Sequence, residues 1–395
     1  MRRGPVVAVP LAVLALSVAA AVSPTDAQRR PVAGLAVPVE NSTGLGRFHD
    51  ALRALRDGRR ERVRVAHWGD SNVAADLWTS VTRERLQRAY GDGGPGYLVP
   101  LPWGSRFDRA IVLRAIGAWQ PKRYGFARDY GPADGLWGVA GVAVEARAGS
   151  TLEVHVPAPQ AASVVEVHVL GRPRGGVLEI AAPGSAPRLV DAARPSVTLL
   201  RERVELRPDE RRVRIRVRSV RPVRVLGVVV ERRGPGVVYD VLGVNGHRVS
   251  AHSEWNRQLL AEQLTARPPD LAVLSYGGNE ALDRGLTMAR YETQLRAALA
   301  QLHELAPRAS CLVVSPVAMC PRSPRNVEVT EIQRRLAAES GCAFFHTARV
   351  SGGHGSLCDW IRANEGLVSA DRLHLARRGY ALVGERFTDA ILPDL

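Results

Sequence analysis

The stretch VRVAHWGDSNVAAD, Val63–Asp76, decides the reading of the fold. Val63 to Trp68 forms a strand-like apolar run that ends on Gly69-Asp70-Ser71-Asn72, and a helical pattern follows over 74–89, with Leu77, Val81 and Leu86 on one face. A strand that passes through a glycine turn into a helix opens a parallel α/β sheet. Ser71 then stands at the carboxyl end of a strand, the edge along which open sheets of this kind hold their sites. Asp70 is adjacent, but side chains of neighbouring turn residues point apart. Asp70 is therefore expected to shape the turn by accepting local backbone hydrogen bonds, leaving the role of acid to another residue.

Downstream the chain changes character twice. From about 105 to 235 it consists of short alternating runs such as TLEVHV, SVVEVHVL, RVRIRVRSV and VRVLGVVV, separated by Gly, Pro and Ser, which predicts an all-β sandwich. In RVRIRVRSV, Val213, Ile215 and Val217 face one way and Arg214, Arg216 and Arg218 the other. A solvated arginine face is the simpler reading of that stripe, and a face that meets an anionic polymer is the alternative. After Val237 the α/β pattern resumes. Helices are expected over 253–265, 287–305, 328–339 and 376–391, with strands at PDLAVLSYGGNE, SCLVVSPVAM and CAFFHT. The simplest organisation is one α/β domain made of 45–104 plus 237–395, interrupted by a β module at 105–236. Residues 28–44 read as a linker. In residues 1–27, Arg2 and Arg3 precede an apolar run, Val6–Val22, with small residues near its end, the pattern of a cleaved signal peptide. Export follows from it, to the periplasm or beyond, with no membrane span left after cleavage.

The chain has 395 residues, a formal net charge of +15 and a pI of about 10.7, with Lys122 as its single lysine. A basic surface suits an acidic partner. Aromatic content of 5% and the lack of any basic-aromatic motif argue against nucleic acid. The Gly91–Pro100 run GDGGPGYLVP follows a helix instead of a strand and reads as turn punctuation, not a phosphate loop. Cys311, Cys320, Cys342 and Cys358 form no C-x-x-C pair, which disfavours structural zinc. Export permits disulfides, and four cysteines allow three connectivities; a Cys320–Cys358 bridge, between loops near one end of the sheet, is one hypothesis, and buried free thiols are the alternative.

Three segments deliver polar groups to the strand ends. A serine hydroxyl needs a base to become nucleophilic. His374 is the best candidate for Ser71, because Asp371 lies three residues earlier and can fix its tautomer. An attacked ester develops an oxyanion, for which the Ser71 backbone N–H at a helix start, the Asn279 side-chain amide and the Gly246 backbone N–H are candidate donors. An ordinary Asn-Gly turn is the plainer reading of Gly246, with Gly243 three residues away. His67 reads as a hydrogen-bonded core residue. His247 and His252 are placed near the expected oxyanion loop, within reach of substrate, and His155 and His168 toward solvent.

Gly69-Asp70-Ser71, the glycine before His247, Gly277-Gly278-Asn279-Glu280 and Asp371-Arg372-Leu373-His374 resemble, in order, the four blocks of the SGNH (GDSL-type) hydrolases. Asn72 stands where many members have Leu, and Glu280 where many have Asp. The resemblance implies a flavodoxin-like three-layer α/β fold, Ser71, Asp371 and His374 as triad, Ser71, Gly246 and Asn279 as oxyanion hole, and no cofactor or metal. HWGDSNVAADLWT, LQRAYGDGGPGY, the β insertion and YDVLGVNGHR are similar to the periplasmic peptidoglycan O-acetylesterases, in which a carbohydrate-binding-like β-sandwich interrupts the SGNH domain. That similarity implies removal of acetyl groups from O-acetylated N-acetylmuramic acid.

Other readings compete. The same triad could pass the acetyl group to a sugar hydroxyl, making a transferase, or could deacetylate another polysaccharide such as xylan. A metallophosphoesterase is faintly echoed by GDSN, GGNE and the GGHG of Gly352–Gly355, but the expected D-x-H and the histidine between Asn and Glu are missing. A glycan-binding protein with a vestigial site conflicts with the complete residue set.

Overall fold

Val63 and Val65 are fully buried and Trp68 nearly so, and the strand Arg62–Gly69 that carries them is covered on both faces, as parallel strands are. The computed structural model describes residues 34–100, 111–123, 134–156, 163–207 and 209–392; the expected signal peptide at 1–27 lies outside them. Arg62–Gly69 belongs to a five-stranded parallel sheet in the order Gly236–Gly243, Arg62–Gly69, Leu271–Ser275, Ser310–Val314, Ala343–Phe345. Gly69 pairs with Gly243 on one side and with Ser275 on the other. Leu260, Leu295, Leu299 and Leu336, from Arg257–Ala266, Met288–Leu305 and Pro324–Glu339, pack with Trp68, Leu274 and Phe344 over one face. On the opposite face Phe387 of Arg377–Ile391 meets the rings of His67 and Phe345.

The helix expected over 74–89 is instead two helices, Ser71–Ala74 and Thr79–Tyr90. Asp76 between them adopts φ 50°, and its carboxylate accepts from Thr79 Oγ1 at 2.6 Å and from both Arg83 terminal nitrogens at 3.0 and 2.9 Å. That buried ion pair restarts the helix and turns its buried face to Trp78, Thr82 and Leu86, so Leu77 and Val81 are only half-buried. The later helices and strands lie close to their expected positions. The strand Gly236–Gly243 takes its place in the sheet at the point where the α/β pattern was read to resume.

The stretch between contains two antiparallel sheets. One joins Thr198–Glu205, Ser163–Gly171, Val223–Arg232, Val142–Ala146 and Gln120–Arg123, with Gly96–Leu98 added to Val223–Arg232; the other joins Val112–Ile116, Thr151–His155, Arg212–Val217, Val177–Ala181 and Arg188–Asp191. Val165, Val167 and Val169 of the first and Leu152, Ile180 and Ile215 of the second share a single apolar core. The arginine stripe faces solvent, where Arg214 and Arg218 approach Glu153 and Glu179 at 3.4 and 3.8 Å. His168, expected to face solvent, is buried. Its sheet is covered on the second face as well, with Tyr97 at 5.8 Å between ring centres and Glu166 at 2.8 Å.

Residues 34–44, read as linker, are tied to the sheet edge instead. Leu35 N–H donates to Val350 O, Glu40 N–H to Phe344 O, and Val37 is buried. Among the described residues no helix is long and apolar enough to cross a membrane. Replacing Arg83 with Leu leaves Asp76 buried without its cation and should cost about 3 kcal/mol or more in urea unfolding. A loss below about 1 kcal/mol would show that the pair does not set the helix break.

Candidate active site

Ser71 begins the short helix Ser71–Ala74, directly after the pairing of Gly69 ends the strand. Asp70 caps that helix: its buried Oδ1 accepts from the Asn72 backbone N–H and from Asn72 Nδ2, each at 2.9 Å. Burial pushes the Asp70 carboxyl up, against those two hydrogen bonds. Asp70 thus shapes the turn as expected and makes no contact that would orient an imidazole.

Ser71 Oγ lies 2.7 Å from His374 Nε2, and His374 Nδ1 lies 2.7 Å from Asp371 Oδ2. The other Asp371 oxygen accepts from Ser369 Oγ at 2.5 Å and from the Leu373 and His374 backbone N–H groups at 2.9 Å each. Arg372, at φ 59°, turns the chain so that these donors converge. Burial alone would raise the Asp371 carboxyl, but the hydrogen bonds outweigh it and hold the group well below the usual carboxylate range. The loop is fastened by an antiparallel bridge between Val368 and Leu375.

The other two segments arrive on the flanking strands. Asn279 opens the helix Gly278–Leu282 after Leu271–Ser275, and its Nδ2 donates one hydrogen to His247 O at 2.9 Å, leaving the second N–H for another acceptor. A Cβ placed on neighbouring Gly278 would stand 3.2 Å from Asp70 Oδ2, so this turn packs on the serine turn. Gly246 follows Gly236–Gly243, with φ 77° in the left-handed region that favours glycine. Val244 N–H donates to Gly69 O at 3.0 Å and holds that loop beside the serine strand. Gly243 has a packing role: a Cβ there would fall 2.2 Å from Ala74 N. The structure therefore lines up Ser71, His374 and Asp371 and sets the loops of Gly246 and Asn279 on either side of them.

The departures at Asn72 and Glu280 both have structural work. Asn72 Oδ1 accepts from Tyr380 OH at 2.6 Å, which ties the helix after His374 to the serine turn. Glu280 is fully buried and accepts from Val249 N–H at 2.8 Å and Gly277 N–H at 3.0 Å. Burial pushes its carboxyl up to about 7. The role of Tyr380 was not read from the sequence, where it looks like one more apolar helix residue. His67 is a core residue as expected, 2.7 Å from Tyr239 OH and 2.6 Å from Ser275 Oγ, with its pKa lowered by burial to about 3. The His247 and His252 rings are buried instead of facing substrate, and His252 packs against Trp68 and Trp255. Cys320 is bonded to Cys358 and Cys311 to Cys342, a pairing that the sequence left open.

Residues 217–382 match the model of the GDSL-like lipase/acylhydrolase family. The match begins within the antiparallel sheets and includes Gly246, Asn279, Asp371 and His374; Ser71 precedes it. Similar solved structures include a peptidoglycan O-acetylesterase, 24% identical with a TM-score of 0.73, covering 87% of this chain and 94% of that one. Others are a lipase/acylhydrolase from Enterococcus faecalis (21% identity, TM-score 0.30, covering 40% and 76%) and an acetylxylan esterase from Geobacillus stearothermophilus (16%, 0.31, 40% and 74%). No curated protein sequence matches the chain.

Glu280 supplies a pH test. Its folded pKa, about 7, exceeds its ordinary 4.5, so the folded state holds a proton that the unfolded state has lost. Stability should fall as pH rises from 4.5 through 7, by about 3 kcal/mol from this group. In urea unfolding across that window, Glu280→Gln should lack this slope, and parallel profiles for the two proteins would refute the assignment.

Proposed function

We propose that the chain is a carboxylic ester hydrolase of the SGNH (GDSL-like) type that removes O-acetyl groups from a cell-wall glycan, with Ser71 as nucleophile. The observation that carries this reading is the unbroken relay Ser71 Oγ–His374 Nε2 and His374 Nδ1–Asp371 Oδ2, each link 2.7 Å. Ser71 Oγ attacks the acetyl carbonyl and gives its proton to His374 Nε2, while Asp371 holds the opposite N–H and stabilises the imidazolium. The tetrahedral oxyanion is received by the Ser71 and Gly246 backbone N–H groups and the free N–H of Asn279 Nδ2. His374 then returns the proton to the departing sugar oxygen, leaving acetyl on Ser71. A water, deprotonated by His374, attacks the acyl-enzyme, and the proton goes back to Ser71 Oγ as acetate leaves.

The substrate assignment is O-acetylated peptidoglycan, acetylated on N-acetylmuramic acid. It is supported by the resemblance of the serine block and of the interrupted domain order to peptidoglycan O-acetylesterases. In this reading, 105–236 is an inserted carbohydrate-binding-like sandwich within a hydrolase domain of 45–104 plus 237–395. An exported site of action, in the periplasm or outside the cell, fits the amino-terminal pattern and such a substrate. The side chains of His374 and Asp371 are 37% and 49% exposed. That openness favours water as the acyl acceptor over a bound sugar hydroxyl.

Acetate release should be measured from O-acetylated peptidoglycan and from acetylated xylan. The expected result is faster release from peptidoglycan and none from either with Ser71→Ala. No release by the wild type from either polymer would overturn the esterase reading, and a preference for xylan would overturn the substrate. Asn279→Ala should lower kcat about 100- to 1000-fold with little change in KM. A kcat within a factor of about three of wild type would remove Asn279 from the oxyanion hole.

A further inference from the structure

The strand Arg62–Gly69 has a second end. At its amino end, where it meets the first antiparallel sheet, lies an open cleft of about 370 Å³ lined by seven arginines and three glutamates. Seven strand residues at about 3.3 Å each put it roughly 20 Å from Ser71. It is a separate place on the molecule.

Its charges are unevenly matched. Arg201 is held in a two-pronged pair by Glu166, 3.0 Å at each contact, and Arg232 by Asp92. The remaining cations outnumber their partners. Glu231 alone is shared by Arg62 at 3.7 Å, Arg64 at 3.3 Å and Arg267 at 2.5 Å, with Asp240 as a second partner of Arg267. Glu205 is shared by Arg203 at 3.6 Å and Arg233 at 2.6 Å, both more than half exposed. Arg62 Nη1 and Arg267 Nε are buried and have no hydrogen-bond partner among the described residues, and Arg267 is itself more than nine-tenths buried. Burial holds the Arg62 guanidinium below its ordinary value, against the pull of Glu231. Those two atoms are enclosed by the protein, but they belong to guanidinium groups whose positive charge exceeds that of the nearby carboxylates, and an added anion in the cleft lowers that excess.

We propose that this cleft is a second, non-catalytic site that binds a phosphate-class oxyanion. A carboxylate is satisfied by one guanidinium fork lying in its plane, whereas a tetrahedral dianion takes donors from several directions. Here the guanidinium groups come from three separate places: the strand Arg62–Gly69, the first antiparallel sheet with Arg233 just beyond it, and the end of the helix Arg257–Ala266. The phosphate group could belong to free phosphate, to a sugar phosphomonoester or to a phosphodiester polymer, all of which present the same atoms to the arginines.

The test is calorimetric titration of the full chain at low salt with inorganic phosphate, pyrophosphate, glycerol phosphate and a glycerol phosphodiester, with acetate as control. Saturable binding of phosphate or pyrophosphate is expected, and acetate should not displace it. Binding of the monoester without the diester would assign a terminal phosphate, and binding of both would assign a polymer. The double variant Arg203→Ala/Arg233→Ala alters exposed side chains and should fold normally. It should weaken binding at least about tenfold and hydrolyse 4-nitrophenyl acetate at the wild-type rate. Ser71→Ala should bind phosphate as the wild type does, which keeps this result independent of the esterase assignment. Absence of saturable binding, equal binding by the double variant, or equal competition by acetate would overturn the proposal.

Discussion

The pairing of Arg62–Gly69 with a parallel neighbour on each side is the constraint from which the site follows. Gly69 stands opposite Gly243 and Ser275, so the chain leaves three adjacent strands at one level and three loops meet there. The carboxyl edge of an open parallel sheet is where such loops converge, and this one is crowded. Gly243 lets the serine helix press against the neighbouring strand, and Gly278 brings the Asn279 turn onto Asp70. A slip of one residue in either pairing would move a loop by about 3.3 Å, more than a hydrogen bond tolerates. The last component, the Asp371–His374 loop, is not on a sheet strand. It is held through Arg377–Ile391, whose Tyr380 bonds to Asn72 and whose Thr388 hydroxyl lies 3.1 Å from that of Thr82.

The acidic groups near Ser71 divide by environment. Asp371 is half exposed and gathers donors on both oxygens, which favours its charged form beside the imidazole. Asp70 and Glu280 are buried, and burial pushes both upward; Asp70 Oδ1 accepts from the backbone and side chain of Asn72, and the two Glu280 oxygens from the Val249 and Gly277 N–H groups, so each fixes a turn. The carboxylate beside Ser71 in sequence is therefore a structural cap, while the one 300 residues later faces the histidine. At the far end of the same strand, arginines crowd around too few carboxylates, and the chemistry there is of a different kind.

Much of the fold was legible because both-face burial writes a parallel strand as a short apolar run, as in LAVLS and SCLVV, bounded by helical periodicity. Of the candidate site residues, Ser71 and Asn279 were legible because each follows the end of such a run, and Asp371 and His374, off the sheet, by their three-residue spacing before the last helix. The break at Asp76 was hidden, since Asp76, Thr79 and Arg83 read separately as ordinary helix-surface residues and only their mutual contact marks a cap. His168 alternates with buried valines and so looks solvent-facing; the sequence does not reveal that a second layer covers that face. The packed path of residues 34–44 was masked by small residues and prolines, which suit a linker equally well. Sheet order was also out of reach, because periodicity identifies strands without naming their neighbours.

The most direct test of the account is the covalent one. Wild-type protein quenched during turnover of an acetyl ester should carry an acetyl group on the peptide containing Ser71, found by mass spectrometry. Ser71→Ala should show no acetylated peptide and no turnover. Turnover without a label at Ser71, or a label on another residue that tracks the rate, would contradict the assignment of Ser71 as nucleophile.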